Sequence, residues 1–159
     1  MEYQVKAAFV LNFAKFIQWP PEVFQDERSP ITVCVFRTDP FGDALHEMIR
    51  GKNINNRDLL ARRVNDVPEL SICHIVFVSE KEEGREPEIL NRLKGTSALV
   101  IGETGRFAER GGGIQFFLEN NRLRFAVNID AVQRAHLTLS SKLLALARIV
   151  HDTGYAKGN

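Results

Sequence analysis

The chain has 159 residues, 44% of them hydrophobic and 26% charged, which suits one globular domain with a substantial core. Its 21 basic residues nearly balance 20 acidic ones, so no overall field draws it to nucleic acid or anionic lipid, and the densest basic spot, Arg62-Arg63, is small. Eleven Phe against two Tyr and one Trp indicate aromatics that fill a core, because nucleic-acid stacking platforms come with flanking Lys and Arg.

The opening segment from Lys6 to Pro20 packs three Phe and a Trp before a double proline, and it reads as either an anchor or a core helix. At 100° per residue Val5, Ala8, Phe9, Phe13, Phe16 and Ile17 share one apolar face, with Asn12 inside that face, and Pro20-Pro21 ends the helix. A membrane span needs about 20 consecutive apolar residues. This run is shorter and carries Lys6, Asn12, Lys15 and Gln18, so a core helix is expected. The basic start, unbroken apolar centre and cleavage site of a secretory signal are not in order either, and the chain as given is expected to carry no targeting segment.

Ile31 to Phe36 is an apolar run suited to a strand buried on both faces. Asp39 caps and Pro40 starts a helix expected to reach about Arg50 and close at Gly51. Further strands are predicted over Leu59 to Val64, His74 to Val78 and Ala98 to Ile101, with a helix from about Pro87 to Lys94 before Gly95. Ile114 to Leu118 and Arg122 to Val127, joined by Glu119-Asn120-Asn121, form an antiparallel hairpin placed at a sheet edge. Asn128 or Asp130 opens a short helix. Ser140 opens the last one, with Leu139 and Leu144 as a staple and an apolar stripe of Leu143, Leu144, Ala147 and Val150 turned toward the first helix. The expected architecture is a single three-layer α/β domain over residues 1–155, with a tail over 156–159. Its sheet is about six-stranded and mostly parallel, with helices on both faces.

Catalytic and metal patterns are sparse. A receiver-type phosphoacceptor needs clustered carboxylates at strand ends, but the first such end reads Phe36-Arg37-Thr38. Arg37-Thr38 at a helix start could hold an anion, against the opposing charge of Asp39 and Asp43. Gly102-Glu103-Thr104-Gly105 and Gly111-Gly112-Gly113 match neither phosphate-loop pattern. His46, His74, His136 and His151 lack metal-ligand spacing, so no metal is expected. A Cys34–His74 nucleophile pair is conceivable with nothing else beside it, and no carboxylate pair stands out for hydrolysis.

One ordered set of segments is more specific. It comprises Lys6-Ala7-Ala8-Phe9, Asn12 to Phe16, Trp19-Pro20, Ile31 to Val35 leading to Asp39-Pro40-Phe41-Gly42, and Cys73-His74-Ile75. Phe107 to Gly112 with Ile114 and Phe116, Arg124-Phe125 with Asn128, and Ser140 to Leu144 complete it. Together these resemble the YfiR family of periplasmic signalling proteins, over essentially the whole domain. The resemblance implies an exported, non-enzymatic regulator without a cofactor, often a homodimer. Such a protein binds the periplasmic sensing domain of an inner-membrane diguanylate cyclase and restrains cyclic-di-GMP production and hence biofilm formation, with no membrane insertion. Similar domains occur attached to sensor kinases. The alternative is therefore a sensory input module that binds a small ligand in a Phe-lined pocket and serves a sensor kinase or transporter.

Cys34 and Cys73 lie in or beside two predicted strands. A bridge fits if those strands are neighbours, and two buried free thiols are the other reading. The resemblance places both in an oxidising compartment, where such a pair is oxidised; the second cysteine pair of the family's namesake has no counterpart here. Asn12, Lys15 and Trp19 of the opening helix, and Arg110, Arg124, Asn128 and Lys142 of the later motifs, also admit two readings. They serve as caps and interior hydrogen bonds, or they line a cleft or partner surface near the terminal helices.

Overall fold

In a computed structural model that describes residues 2–152, the opening segment is the helix Glu2–Phe16 (α1), which buries Lys6, Ala7, Val10, Leu11, Phe13 and Ala14. It is a core helix, but its buried face is rotated from the expected one. Val5 and Asn12 are exposed, while Ala8, Phe9 and Phe16 are half-buried. Ala7 and Ala14 are buried on this face beside Val10 and Phe13. Phe9 then reaches sideways to Phe116 and Phe125, with ring centroids 6.0 and 5.7 Å away. Phe13 stays fully buried and Phe9 and Phe16 still pack against the core, so the rotation gives up little apolar burial.

After Ile17–Gln18 (β1), the strands are Ile31–Phe36 (β2), Asn53–Ile54 (β3), Arg57–Val64 (β4), Ile75–Val78 (β5), Leu99–Gly102 (β6), Ile114–Glu119 (β7), Arg122–Asn128 (β8), Thr138–Leu139 (β9) and Arg148–Val150 (β10). The helices are Ala44–Ile49 (α2), Glu86–Leu93 (α3), Ile129–Arg134 (α4) and Ser141–Leu146 (α5). Eight strands form one sheet in the order β10-β8-β7-β6-β5-β2-β4-β3, and β1 and β9 pair separately. β2, β4, β5, β6 and β7 run parallel; β8 is antiparallel to β7, and β3 to β4. The fold is therefore a three-layer α/β sandwich whose sheet has two short edge strands, β3 and β10, beyond the six predicted from sequence.

Alternation along each central strand divides the core. Val33, Val35, Ile75, Phe77, Ile101, Phe116 and Phe125 pack under α1, α2, α4 and α5. Cys34, Phe36, Val76, Val78 and Val100 face the other way, against α3 and the tight turn Val67–Ile72. The central strands are buried on both faces and so carry apolar residues at nearly every position.

Two local expectations change. The Asp39 carboxylate accepts from Phe41 N (2.9 Å) in a turn, so α2 starts only at Ala44. The last helix stops at Leu146, and Arg148–Val150 leaves it to pair in parallel with Ala126–Asn128. Ala147 and Val150 thus lie outside the helix, and the hairpin is not the sheet edge. Satisfying the outer backbone of β8 outweighs about one more turn of helix on a partly exposed stripe. Residues 153–159, including the assigned tail, lie outside the described residues.

Gly102 and Gly112 sandwich the fully buried ring of Phe107 so closely that a Cβ on either would overlap it. Gly112→Ala is expected to cost about 1–3 kcal/mol through overpacking. A urea melt should show this, with part of the loss recovered in the double variant Gly112→Ala, Phe107→Leu. A full loss in the double variant would place the strain elsewhere.

Candidate functional site

Three of the seven candidate residues meet at one corner. The carbonyl of Phe16, at the end of α1, accepts from Ser140 N at 2.9 Å, and β1 pairs with β9 through Ile17–Leu139 and Gln18–Thr138. Ser140 then caps α5, its hydroxyl accepting from Lys142 N at 3.0 Å. The last turn of α1 and the first of α5 therefore adjoin. Lys15 and Lys142 are exposed there and form no ion pair among the described residues. Asn12, one helical turn before Lys15, is exposed too. Trp19 lies just beyond but turns inward; its ring meets His74 edge-on at 6.3 Å, and its indole N–H finds no acceptor among the described residues.

Arg124 and Asn128 are placed by the hairpin. Arg124 donates to Glu119 Oε1 (2.6 Å), whose other oxygen accepts from Arg148 (3.0 Å), a surface bracket between β7, β8 and β10. Asn128 is fully buried and joins three segments. Its Oδ1 accepts from Ala131 N (3.0 Å), capping α4, and its Nδ2 donates to the Ala108 carbonyl (2.6 Å) and to Asp152 Oδ1 (2.7 Å). Asn128 and Trp19 are therefore interior groups, while Asn12, Lys15 and Lys142 are exposed on adjoining helices.

Arg110 stands at the mouth of a different feature. β7 pairs with β6 only at Ile101 and Gly102, and a cleft of about 850 Å³ opens beside Leu99 and Val100, between α3 and α4. Its floor is apolar, with Leu90, Leu93, Leu99, Val132 and Leu137. Arg110 Nη2 lies 3.3 Å from Thr104 Oγ1 and 3.5 Å from Glu86 Oε1. Glu86 is buried in the first turn of α3, with both carboxylate oxygens within 3.0 Å of the Thr104 hydroxyl. Desolvation pushes its pKa above the usual carboxylate range, opposed by the hydrogen bond from Thr104 and the charge of Arg110. Across the cleft Arg134 pairs with Asp152 at 2.5 Å. An apolar floor rimmed by guanidinium–carboxylate pairs suits a small amphipathic molecule.

The two cysteines are joined in a disulfide between Cys34 of β2 and Cys73, two residues before β5 begins, with Cα atoms 6.0 Å apart. Cys34 has no thiolate to offer His74. That imidazole is structural: Nδ1 accepts from Thr32 N at 3.0 Å, the ring stacks on Phe24 at 4.6 Å, and burial holds its pKa below the ordinary value.

One polar group escapes sequence reading altogether. Lys6 is 4% exposed, and its ammonium lies 2.5 Å from Glu103 Oε2, 2.6 Å from Glu2 Oε2 and 4.5 Å from the Tyr3 ring centroid. Glu103 follows β6, and its other oxygen accepts from Glu80 N at 3.0 Å. Burial, then the neighbouring Glu103, pushes the Tyr3 phenol well above its ordinary pKa. The available signal was positional. Lys6 falls on the stripe of Ala7, Val10, Ala14 and Ile17, where a buried cation requires an anion.

The profile of the YfiR/HmsC-like family matches residues 3–148. Among solved structures, an ABC domain from Streptococcus pneumonia in complex with L-Trp superposes with a TM-score of 0.53 and 8% sequence identity, over 83% of this chain and 69% of that one. At that identity the likeness is one of fold.

Proposed function

The chain belongs to the YfiR/HmsC-like family, and on that premise we propose that it is a non-enzymatic periplasmic regulator that binds and restrains the sensing domain of an inner-membrane diguanylate cyclase. Bound to that domain, it holds an arrangement with low cyclic-di-GMP output, and release allows biofilm formation. A signal acts by shifting the population between free and bound forms through a difference in affinity. The observation that carries this reading is the family match across 3–148, which includes both α1 and the start of α5. The exposed corner of Asn12, Lys15 and Lys142 is the surface we assign to the partner, and a second copy of the chain is a further candidate for it. No helix among the described residues is long and apolar enough to cross a membrane.

The test is binding of the purified chain to the periplasmic domain of a diguanylate cyclase encoded beside it. Lys15→Glu with Lys142→Glu is expected to weaken binding about tenfold, mainly through the association rate, with the melting temperature unchanged because both side chains are exposed. Absence of binding in both oxidising and reducing buffer would overturn the reading.

The cleft supports a second reading, a sensory module whose ligand enters between α3 and α4 and whose output goes to a sensor kinase or transporter. Its residue is Arg110: Arg110→Ala should abolish a ligand-induced rise in melting temperature while leaving binding of the cyclase domain intact.

A further inference from the structure

We propose that the open edge of β4 is a docking strip for an extended acidic segment of a partner protein, added as a further strand of the sheet. Along β4, Leu59 N bonds outward to the Lys52 carbonyl, whereas the Val64 carbonyl bonds toward the β2 side, to Arg37 N. Alternation then turns the N–H and C=O of Ala61 and Arg63 outward. β3 covers only Arg57 and Asp58, and no backbone partner beyond Lys52 occurs along the rest of this edge among the described residues. A ladder is left open over the last part of β4.

The side chains along this ladder select the occupant. Val64 joins the disulfide-side core and Leu59 the α1-side core, so Leu60 and Arg62 stand on the disulfide face and Ala61 and Arg63 on the other. Leu60 is 50% exposed, and Arg62 and Arg63 are exposed. Arg63 donates to the Arg37 carbonyl (2.6 Å) and Arg37 to the Asn65 carbonyl (2.8 Å). None of these three arginines has a carboxylate partner among the described residues. Two adjacent arginines on an edge repel a second copy of the same edge, which is how sheets discourage self-pairing. The same pair attracts an acidic strand, since opposite charges directly across a ladder stabilise it. In register, the partner presents an apolar residue to Leu60 and successive carboxylates to Arg62 and Arg63. Parallel to β4, that is an apolar residue, any residue, then two acids; antiparallel, it is the reverse order. This edge is separate from the α1–α5 corner, so failure of cyclase binding leaves it standing.

The probe is a fluorescent hexapeptide reading threonine, valine, threonine, glutamate, glutamate, threonine, together with its reverse, titrated with the whole chain by anisotropy. One of the two is expected to bind, with amide shifts at Ala61 and Arg63 in a nitrogen–proton NMR spectrum. Arg62→Glu with Arg63→Glu should weaken it at least tenfold, and backbone N-methylation of one of the two alternate residue sets in the peptide should do the same. A peptide with lysine in place of glutamate should not bind. The proposal fails if neither peptide binds, if N-methylation of neither set weakens binding, or if the shifts fall outside this edge. It also fails if the chain self-associates through β4, seen as a monomer–dimer equilibrium abolished by Arg62→Glu.

Discussion

Replacing Cys34 and Cys73 together by alanine, or reducing the pair, is expected to lower the unfolding free energy by about 4 kcal/mol. The bridge spans a sequence separation of 39 residues, and opening it frees that loop in the unfolded chain. The loop holds the second half of β2, all of α2, β3 and β4, and the turn Val67–Ile72, so the effect reports on one half of the sheet. Urea melts with and without the bridge measure it; a shift below about 1 kcal/mol would mean that the unfolded chain is already compact over this stretch. Both cysteines are buried. Dithiothreitol should therefore reduce the native protein slowly, at the rate of local opening, and far faster in denaturant. Rapid reduction in native buffer would show that β2 and β5 separate readily at that end.

Lys6→Met is expected to cost about 3–5 kcal/mol, because it leaves the Glu103 carboxylate in the interior without its cation. The Glu103 side chain is 3% exposed, so water cannot replace Lys6. Glu103→Gln should cost less, since the amide oxygen can still accept from Glu80 N. The double variant Lys6→Met, Glu103→Leu should recover much of the loss, as hydrophobic replacements of buried pairs often do. Chemical denaturation of the wild type, Lys6→Met, Glu103→Leu and the double variant completes a double-mutant cycle. A coupling near zero would show that Lys6 is held by Glu2 alone, whose side chain is half-exposed.

The parts of the fold legible in the sequence are those in which a segment carries its own signal. β2, β5 and β6 are apolar at nearly every position because both faces are covered. The hairpin shows in Asn120 and Asn121, whose positive φ values of 54° and 64° its turn requires. Asn128 and Ser140 show themselves as caps. The edge strands β3 and β10 were not legible, since two or three residues become a strand only because a neighbour offers an open ladder. The α1 face was misassigned for a related reason. Two stripes of the helix are apolar, and the sheet selects the one with small residues and a lysine for which Glu103 waits 97 positions later. Of the candidate site, the motif residues were found but not their grouping: the Phe16–Ser140 hydrogen bond joins the helices that carry Lys15 and Lys142, whereas Arg110 belongs to a cleft whose walls come from α3, α4 and residues 109–111.

The placement of α1 has a consequence for how the chain reaches its native state. The helix is made well before β7 and β8, yet outside the helix Phe9 and Phe13 find their ring partners in Phe116 and Phe125, and Phe16 finds Ser140 later still. Until β7 and β8 exist, an aromatic helix has no surface to cover it, and such distant pairings slow folding. The unfinished chain therefore carries an exposed sticky segment until β7 and β8 are made. That segment is a natural grip for a chaperone, and it is released only when these partners arrive.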